Sequence, residues 1–366
     1  YFYQNAEAKE MAEKTLLSMA KGGLNDQVGG GFHRYSVDAK WMVPHFEKML
    51  SDNALLAPVY CDAFLFTRND FFGRIAKDTF NYVIQNMQSP EGGYYSSEDA
   101  DSDGEEGKFY LWSLGEIESI LTEEEAALAK EYYQIKSNGN FSSRETYHQN
   151  KNILYAKVTL EEFASTKNIE ARFLIGKFSA IHKKLNAVRK KRVRPNLDDK
   201  VIASWNGLMI TDKAKGYQVF QEKEYKESAL KAGNFILTKL KKEHLLKTYR
   251  SGTAKIAGDL SDYSMVIGGF LSLYEISFDE KWIKEAVSLQ AILDRDFLDS
   301  VGGYFFTSVN TKDLIARQKP FSDDAIPNGN NMEAINLQIL YHLTGQNAYS
   351  EQAKKITSIY SAKMHK

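Results

Sequence analysis

The strongest constraint on the fold is a helical periodicity of apolar residues along nearly the whole 366-residue chain. Apolar residues return every three or four positions, which gives an α-helix one buried face, whereas strand-like alternation is scarce. The pattern predicts helices at about 4–21, 45–67, 70–88, 170–187, 202–220, 224–241, 261–278, 280–297, 329–343 and 346–363, with less regular helical material near 114–133. The chain is therefore predicted to be all-α.

The predicted helices recur as pairs, about every 50 to 60 residues, and roughly six pairs account for the chain. Helix pairs that cannot bury their faces alone stack on neighbours, as an open solenoid or a closed ring. We favour the closed ring, because polar residues gather in loops that would all emerge at one end, and we expect residues 1–366 to form a single domain. Pro58 is expected to kink or split the helix in which it lies.

Three loops share a Gly-Gly pair followed by aromatic residues and a hydroxyl residue: "GGGFHRYS" (29–36), "EGGYYSSE" (91–98) and "VGGYFFTS" (301–308). Glycine permits positive φ and a close return of the backbone, and the aromatic rings can wedge such a loop against helix ends. We interpret all three as structural turns.

Charge and composition exclude several classes of protein. Lys and Arg number 47 against 48 Asp and Glu, so the net charge gives no general attraction to nucleic acid or anionic membrane. The basic run "RKKRVR" (189–194) is interpreted as a solvated helix end. Cys61 is the only cysteine and is expected in the core, which favours a reducing, cytoplasmic location. No apolar run approaches the ~20 residues that span a bilayer.

The acidic stretch "EDADSDGEEGKFY" (98–110) resembles the first half of an EF-hand loop, but Tyr110 stands where a bidentate Glu is required. A looser Ca²⁺ or Mg²⁺ site stays open as an alternative, and Asp103, Glu105 and Glu106 are interpreted as a solvated turn. Clustered carboxylates repel one another and raise a pKa, which creates acid and base partners. Glu98 and Asp99 are therefore catalytic candidates, and Asp101 is a candidate ligand contact.

The segment 29–56 contains two histidines, an arginine and an acidic residue within about twenty positions. Pro44 is predicted to begin a helix, with His45 and Asp52 on one helical face. His33 and Arg34 lie in the preceding loop. The histidines are candidate proton carriers and Arg34 and Asp52 candidate substrate contacts, with loop-stapling hydrogen bonds as the alternative.

Three later segments place polar groups at predicted helix starts. In "RPNLDDKVIASWNGLMI" (194–210), Ser204 is the expected N-cap and Trp205 and Asn206 lie in the first turn. Ser261 or Asp262 is expected to cap the next predicted helix, which would place Asp262 and Tyr263 at the same end of the ring. A turn at 327–330 opens another helix and presents Asn330. We predict that these starts line a common polar funnel, with Asp199 and Asp262 as further catalytic acids and Trp205 as a stacking platform for sugar rings. Asn206, Tyr263 and Asn330 are further candidate ligand contacts.

These motifs together with "IPNGNNMEAINL" resemble those of the bacterial YyaL and spermatogenesis-associated protein 20 family. The resemblance implies a thioredoxin-like domain followed by a six-hairpin-glycosidase-like domain, and only the latter corresponds to this chain. It implies an all-α (α/α)6 toroid related to N-acylglucosamine epimerases and several glycoside hydrolases. Ser261 replaces an expected acid and Asn328 an expected serine.

Two functional hypotheses follow. The first is a carbohydrate-active domain, hydrolase or epimerase, that binds a small sugar ligand without a resident cofactor, unless Ca²⁺ binds the acidic stretch. Hydrolysis requires two carboxylates about 5 to 9.5 Å apart, and epimerisation two opposed bases such as the histidines. The second is a non-catalytic scaffold that holds a ligand or a thioredoxin-like partner. Neither hypothesis includes nucleic acid or membrane binding.

Overall fold

The computed structural model describes residues 5–141, 148–312 and 314–364. Helices dominate this part of the chain, as the periodicity predicts. In chain order they are α1 (Ala6–Lys21), α2 (Leu50–Thr67), α3 (Asp70–Tyr82), α4 (Leu114–Ile120), α5 (Glu123–Tyr132), α6 (Leu160–Thr166), α7 (Ala171–Arg189), α8 (Ala203–Phe220), α9 (Lys223–Phe235), α10 (Leu260–Ser277), α11 (Lys281–Asp296), α12 (Gly329–Thr344) and α13 (Asn347–Met364). Short π-helical turns follow α3 at Val83–Met87 and α9 at Ile236–Leu240.

Short strands connect the helices. They are β1 (Tyr35–Ser36), β2 (Pro44–His45), β3 (Lys48–Met49), β4 (Ser97–Glu98), β5 (Asp101–Ser102), β6 (Glu105–Glu106), β7 (Trp112–Ser113), β8 (Lys151–Asn152), β9 (Leu197–Asp198), β10 (Val201–Ile202), β11 (Leu246–Arg250) and β12 (Thr253–Ala257). All pairings among them are antiparallel, in sheets of order β1-β2, β3-β4-β9, β5-β6, β7-β8 and β10-β11-β12.

The chain divides into two compact units. The first comprises the described residues of Tyr1–Asn53, Val59–Tyr82 and Ser97–Asp198, and the second those of Ala54–Pro58, Val83–Ser96 and Asp199–Lys366. In the first unit, α4 to α7 enclose an apolar core around Trp112 and Phe178. In the second unit, α8 packs closely on α10, because Gly207 carries no side chain where a Cβ would lie 2.4 Å from the Met265 carbonyl group.

The structure corrects several predicted helix boundaries. Helix α2 begins at Leu50 rather than at Pro44, since Pro44 and His45 form β2 and pair with Tyr35 and Ser36. The same helix continues through Pro58 and is not split there, while the alternative expectation, a kink at Pro58, stays a prediction. The buried Cys61 lies on this helix, as predicted.

Two predicted N-caps are also wrong. Helix α8 begins one residue before Ser204, after Ile202, which makes no side-chain cap. Helix α10 is capped by Asp259, and Asp262 completes the capping box from the N3 position. The predicted opening of α12 is confirmed: Asn328 is its N-cap and accepts a hydrogen bond from the Asn330 N–H.

Each Gly-Gly loop is anchored by an asparagine in the first turn of a helix. Asn53 on α2 accepts a hydrogen bond from the Phe32 N–H and donates one to the Phe32 carbonyl. In the second unit, Asn206 on α8 makes the same pair of bonds with Tyr94, and Asn330 on α12 with Tyr304. The interpretation of these loops as structural turns is therefore confirmed, and their anchors are side chains rather than the aromatic rings alone.

The acidic stretch forms a β-hairpin instead of an EF-hand loop. Strands β5 and β6 pair Ser102 with Glu105, and both intervening residues, Asp103 and Gly104, have positive φ. Positive φ at both central positions is typical of a type I′ turn, for which Asp-Gly is a preferred sequence. Among the described residues, no group of three or more His, Cys, Asp or Glu side chains is placed to hold a metal ion.

Candidate functional site

The first unit brings five polar side chains together at the β1–β2 hairpin, a set that we call the Arg34 cluster: Arg34, His45, Glu47, Asp52 and Glu106. The guanidinium Nη1 of Arg34 donates to Glu47 Oε2 at 3.0 Å, and the Arg34 N–H donates to the Glu47 carbonyl. Four of these side chains are partly accessible: His45, Glu47 and Glu106 are between 22% and 34% exposed, and Arg34 is 48% exposed. These four side chains therefore reach solvent.

His45 lies between two carboxylates of this cluster. Its Nδ1 is 2.9 Å from Glu106 Oε1, and its Nε2 is 3.6 Å from Glu47 Oε2. The Tyr35 ring stacks on the imidazole, opposite it in the β1–β2 pairing, with 4.9 Å between centroids. Because an ionised carboxylate only accepts hydrogen bonds, Nδ1 carries the proton in the Glu106 contact. In neutral His45, Nε2 is then the basic nitrogen.

Asp52 is the half-buried acid of the Arg34 cluster. It lies in the first turn of α2, and its Oδ2 is buried without a hydrogen-bond partner among the described residues. Burial raises the pKa of Asp52 to about 6, while the charge of Arg34 lowers it and that of Glu47 raises it further. A carboxyl group with this pKa can donate a proton near neutral pH.

Glu98 is buried in an ion pair beneath the surface of the first unit. It accepts hydrogen bonds from Arg194 and from the Tyr82 hydroxyl, both at 2.5 Å. On the adjacent strand, Lys48 lies opposite Glu98, with its own Nζ bound to Asp26 at 2.8 Å. The predicted catalytic Glu98 therefore has both oxygens engaged by protein groups.

His33, another predicted proton carrier, is also buried. Its Nδ1 is 2.8 Å from the Phe46 carbonyl oxygen, and its ring packs edge-on against Phe46 and Tyr110. Burial, followed by the positive charge of Lys48, lowers the pKa of His33 to about 3. The imidazole is neutral near pH 7, and its Nδ1 is the donor to Phe46.

Asp99 and Asp101 are exposed, by contrast. The Asp99 N–H donates to the Asn196 carbonyl, and the Asp99 carboxylate accepts from the Asp101 N–H at 3.3 Å. The predicted roles of Asp99 as a catalytic acid and Asp101 as a ligand contact remain predictions.

In the second unit, Asp262 is a buried structural acceptor. It accepts hydrogen bonds from the Ser204 N–H at 3.0 Å and the Asp259 N–H at 3.1 Å, and Lys247 contacts both acids. The pKa of Asp262 is raised to about 6, mainly by burial and further by the negative charge of the neighbouring Asp259.

Asp199 and Trp205 are the more accessible candidates of the second unit. Asp199 pairs with Arg250 at 2.5 Å, and both side chains are substantially exposed. Trp205 is half-buried in the first turn of α8. Its predicted stacking on a sugar ring remains a prediction.

Three predicted ligand contacts are buried and bonded within the second unit. Asn206 and Asn330 anchor the Gly-Gly loops, as described above, and Tyr263 accepts the Leu245 N–H through its hydroxyl at 3.0 Å. Their polar atoms are engaged by the backbone, which suits a structural role. The common funnel predicted from the helix starts likewise remains a prediction.

Sequence reasoning missed Glu47 and Glu106 of the Arg34 cluster. Glu106 was assigned to a solvated turn, since nothing in the acidic stretch indicates that β6 approaches β2. Glu47 had a usable signal, because it lies two residues after His45 and residues two apart in an extended segment share one face.

Comparisons with known proteins give the family and the fold. No protein-family profile matches the chain. Spermatogenesis-associated protein 20 of Rattus norvegicus is 33% identical over 99% of this chain, which spans about half the length of that relative. Among solved structures, the match to cellobiose 2-epimerase from Bacillus thermoamylovorans covers 96% of this chain and 70% of that enzyme's chain, at 12% sequence identity and a TM-score of 0.55. The match to cellobiose 2-epimerase from Spirochaeta thermophila covers 98% of this chain and 72% of that enzyme's chain, at 9% identity and a TM-score of 0.53. The predicted all-α (α/α)6 toroid fold is thereby confirmed, and the chain belongs to the spermatogenesis-associated protein 20 family.

Proposed function

We propose that this chain is a carbohydrate-active domain that transfers protons to and from a reducing sugar at the Arg34 cluster. The observation that carries the proposal is that Glu47 lies close to both a half-buried acid, Asp52, and a histidine, His45, that Glu106 orients. A positioned acid and a positioned base are the requirement for acid–base catalysis. The likeness of fold to two cellobiose 2-epimerases supports a sugar as the substrate class.

The proposed chemistry assigns one task to each side chain. His45 Nε2 takes the proton from the carbon next to the carbonyl group of the open-chain sugar, while Glu106 holds Nδ1–H and stabilises the imidazolium. Protonated Asp52 donates to the carbonyl oxygen, so an enediol forms. As the carbonyl group re-forms, Asp52 takes back the enediol hydroxyl proton. Return of the proton from His45 to the same face of the carbon restores the starting sugar, whereas a proton delivered by solvent to the opposite face yields the epimer, and His45 then releases its own proton to solvent. Arg34, which pairs with Glu47, offers its exposed guanidinium to the sugar hydroxyls.

A specific observation also supports the non-catalytic alternative. Glu98 and Asp262, two of the predicted catalytic acids, are buried and bonded to protein groups, the state expected of a scaffold that holds a ligand or a partner module. The curated relatives are about twice as long as this chain, which is consistent with an additional domain as the partner. The two proposals differ in whether the Arg34 cluster exchanges protons with a bound sugar.

A deuterium-exchange experiment tests the catalytic proposal. The purified chain is incubated with cellobiose, glucose or mannose in deuterated water, and NMR follows deuterium at the carbon next to the carbonyl group and the appearance of an epimer. We expect exchange with at least one sugar, and a loss of about 10²-fold or more in its rate for His45→Gln. The matched control is His342→Gln, because His342 is exposed near the end of α12.

Three outcomes would contradict this proposal. Release of monosaccharides from the disaccharide without deuterium exchange would point to hydrolysis instead. Thermal stabilisation by a sugar without any turnover would favour the scaffold. An equal loss of rate in both histidine variants would remove His45 from the reaction.

A further inference from the structure

Helix α12 of the second unit carries an acidic residue, Glu333, on its buried face. This face includes Asn330, Glu333, Asn336, Leu337 and Leu340. The side chain of Glu333 is completely buried. An ionised carboxylate in such a place is costly unless a cation or several hydrogen-bond donors offset its charge. The surroundings of Glu333 therefore decide whether it carries a charge in the folded protein.

The carboxyl group of Glu333 has few partners. Its Oε2 accepts a hydrogen bond from Asn336 Nδ2 at 3.2 Å, and its Oε1 is buried without a hydrogen-bond partner among the described residues. The same Asn336 nitrogen also donates to the Ser264 carbonyl on α10 at 2.8 Å. A single N–H donor at 3.2 Å does not replace the water that an ionised carboxylate loses on burial.

The charges around Glu333 favour its neutral form. The titratable groups that interact with it are Asp294 on α11, Tyr304 in the third Gly-Gly loop and Tyr349 on α13, while α10 approaches through Ser264, which does not titrate. In the part of the chain that the structure describes, no cation offsets its charge. The pKa of Glu333 is raised to about 8, mainly by burial and further by the negative charge of Asp294, while contacts with the amides of Asn336 and Gln290 lower it.

Gln290 on α11 supplies the acceptor that a protonated Glu333 requires. It is completely buried and contacts Glu333. Its Nε2 is engaged elsewhere, because it donates to Asp294 Oδ1 and to the Tyr304 hydroxyl, both at 3.0 Å. Its Oε1 has no hydrogen-bond partner among the described residues. An acceptor without a donor thus accompanies a carboxyl oxygen without a partner, and one proton on Glu333 Oε1 satisfies both.

We propose that Glu333 stays a neutral carboxylic acid in the folded protein and that its Oε1–H donates to Gln290 Oε1, so that one proton ties α12 to α11. The tie extends to the third Gly-Gly loop, since Gln290 donates to the Tyr304 hydroxyl, which donates to Asp294 at 2.7 Å. Loss of the proton removes the bond to Gln290 and places a second negative charge beside Asp294. The second unit therefore contains a pH-sensitive link between two helices.

Urea denaturation of the whole chain at several pH values tests this link. Glu333→Gln keeps a neutral group and a donor but cannot ionise. Because the pKa is 4.5 in its ordinary state and about 8 in the folded protein, the stabilisation by the held proton is complete below about pH 4.5 and is lost as the pH rises through about 8. We expect similar urea midpoints for the variant and the unaltered chain near pH 4.5. The variant should then become progressively more stable than the unaltered chain up to about pH 8.

The matched control is Glu351→Gln. Glu351 is an exposed acid on α13 that pairs with Lys354, so its replacement should give no such gain. A Glu333→Gln variant that is less stable than the unaltered chain at every pH, or that gains no more than Glu351→Gln, would overturn the proposal.

Infrared difference spectroscopy detects the proton itself. The carbonyl stretch of a carboxylic acid is separate from the bands of a carboxylate. The spectrum of the unaltered chain minus that of Glu333→Gln at pH 7 should therefore show one carboxylic acid band, which disappears as the pH rises through about 8. Absence of this band at pH 7 would show that Glu333 is ionised and would overturn the proposal.

Gln290→Met tests the acceptor, and it also serves if Glu333→Gln does not fold. Methionine has a similar volume but offers no carbonyl oxygen. A carboxylic acid that loses its hydrogen-bond acceptor has a stiffer carbonyl bond, so the band should move to higher frequency in this variant. A band that stays in place would remove Gln290 as the acceptor and would overturn the proposed tie between α12 and α11.

Discussion

Asn206 and Tyr94 exchange two hydrogen bonds inside the second unit: the Tyr94 N–H donates to Asn206 Oδ1 at 2.7 Å, and Asn206 Nδ2 donates to the Tyr94 carbonyl at 2.9 Å. The amide of asparagine carries one acceptor and one donor group, so it satisfies both polar groups of a single residue in the loop. The same arrangement at Asn53 and Asn330 makes it a repeated device of this fold.

Replacement of Asn206 should therefore destabilise the protein. Asn206→Ala leaves the buried Tyr94 N–H and carbonyl without these partners. It also removes the hydrogen bond that Asn206 Nδ2 donates to the Ile202 carbonyl. Since each unsatisfied buried group costs about 1–3 kcal/mol, we expect the free energy of unfolding to fall by about 3 kcal/mol, measured by urea denaturation. The control is Asn234→Ala, an exposed asparagine on α9, which should change stability by less than about 0.5 kcal/mol. Equal stability of the Asn206 variant and the unaltered chain would refute the anchoring role.

Two glycines within helices should respond to alanine in opposite directions. A Cβ at Gly207 would lie 2.4 Å from the Met265 carbonyl group, so α8 and α10 would have to separate. A Cβ at Gly176, exposed on α7, would meet nothing within 4 Å. We expect Gly207→Ala to lower the free energy of unfolding by about 1–3 kcal/mol or more, through overpacking. Gly176→Ala should raise it by about 0.5–1 kcal/mol, through reduced backbone freedom in the unfolded chain. Denaturation of both variants under one condition checks the signs, and a stabilising Gly207→Ala would contradict the close packing.

Asp52 should make stability depend on pH. Its pKa is raised by burial from 3.8 to about 6, so the folded state holds the proton more tightly than the unfolded state does. Asp52 therefore stabilises the folded state most below about pH 4, where it is protonated in both the folded and the unfolded state. This stabilisation is lost as the pH rises through about 6, and it does not change further at higher pH. Asn cannot ionise, so Asp52→Asn should gain stability relative to the unaltered chain across this pH interval.

Urea denaturation at several pH values between 4 and 8 measures this difference. The exposed Glu227→Gln is the control and should show no such gain. If Asp52 is also the proposed proton donor, the more stable Asp52→Asn variant should lose sugar exchange, and a variant that keeps full exchange would exclude that role. A gain in stability that does not change with pH would show that burial does not raise the pKa of Asp52.

Local patterns in the sequence were sufficient to predict the helices and the Gly-Gly turns. The three- and four-residue spacing of apolar side chains is a property of the chain itself, and so is the need for positive φ at positions such as Gly302. Helix starts were less predictable. Pro44 suits the first turn of a helix but equally suits the edge strand β2, and only its pairing with β1 decides between them.

The polar residues show the limit of the sequence most clearly. The sequence predicts Glu98 as a catalytic acid and Asn206 and Arg34 as ligand contacts, because each is a polar group beside a loop or a helix start. Tertiary packing buries Glu98 against Arg194 and Asn206 against Tyr94, and it leaves Arg34 exposed beside Glu47 and His45. Periodicity along the chain therefore determined the helical class. Whether a carboxylate or an amide faces solvent or a buried partner depends on residues tens of positions away, and only the folded structure brings those residues into contact.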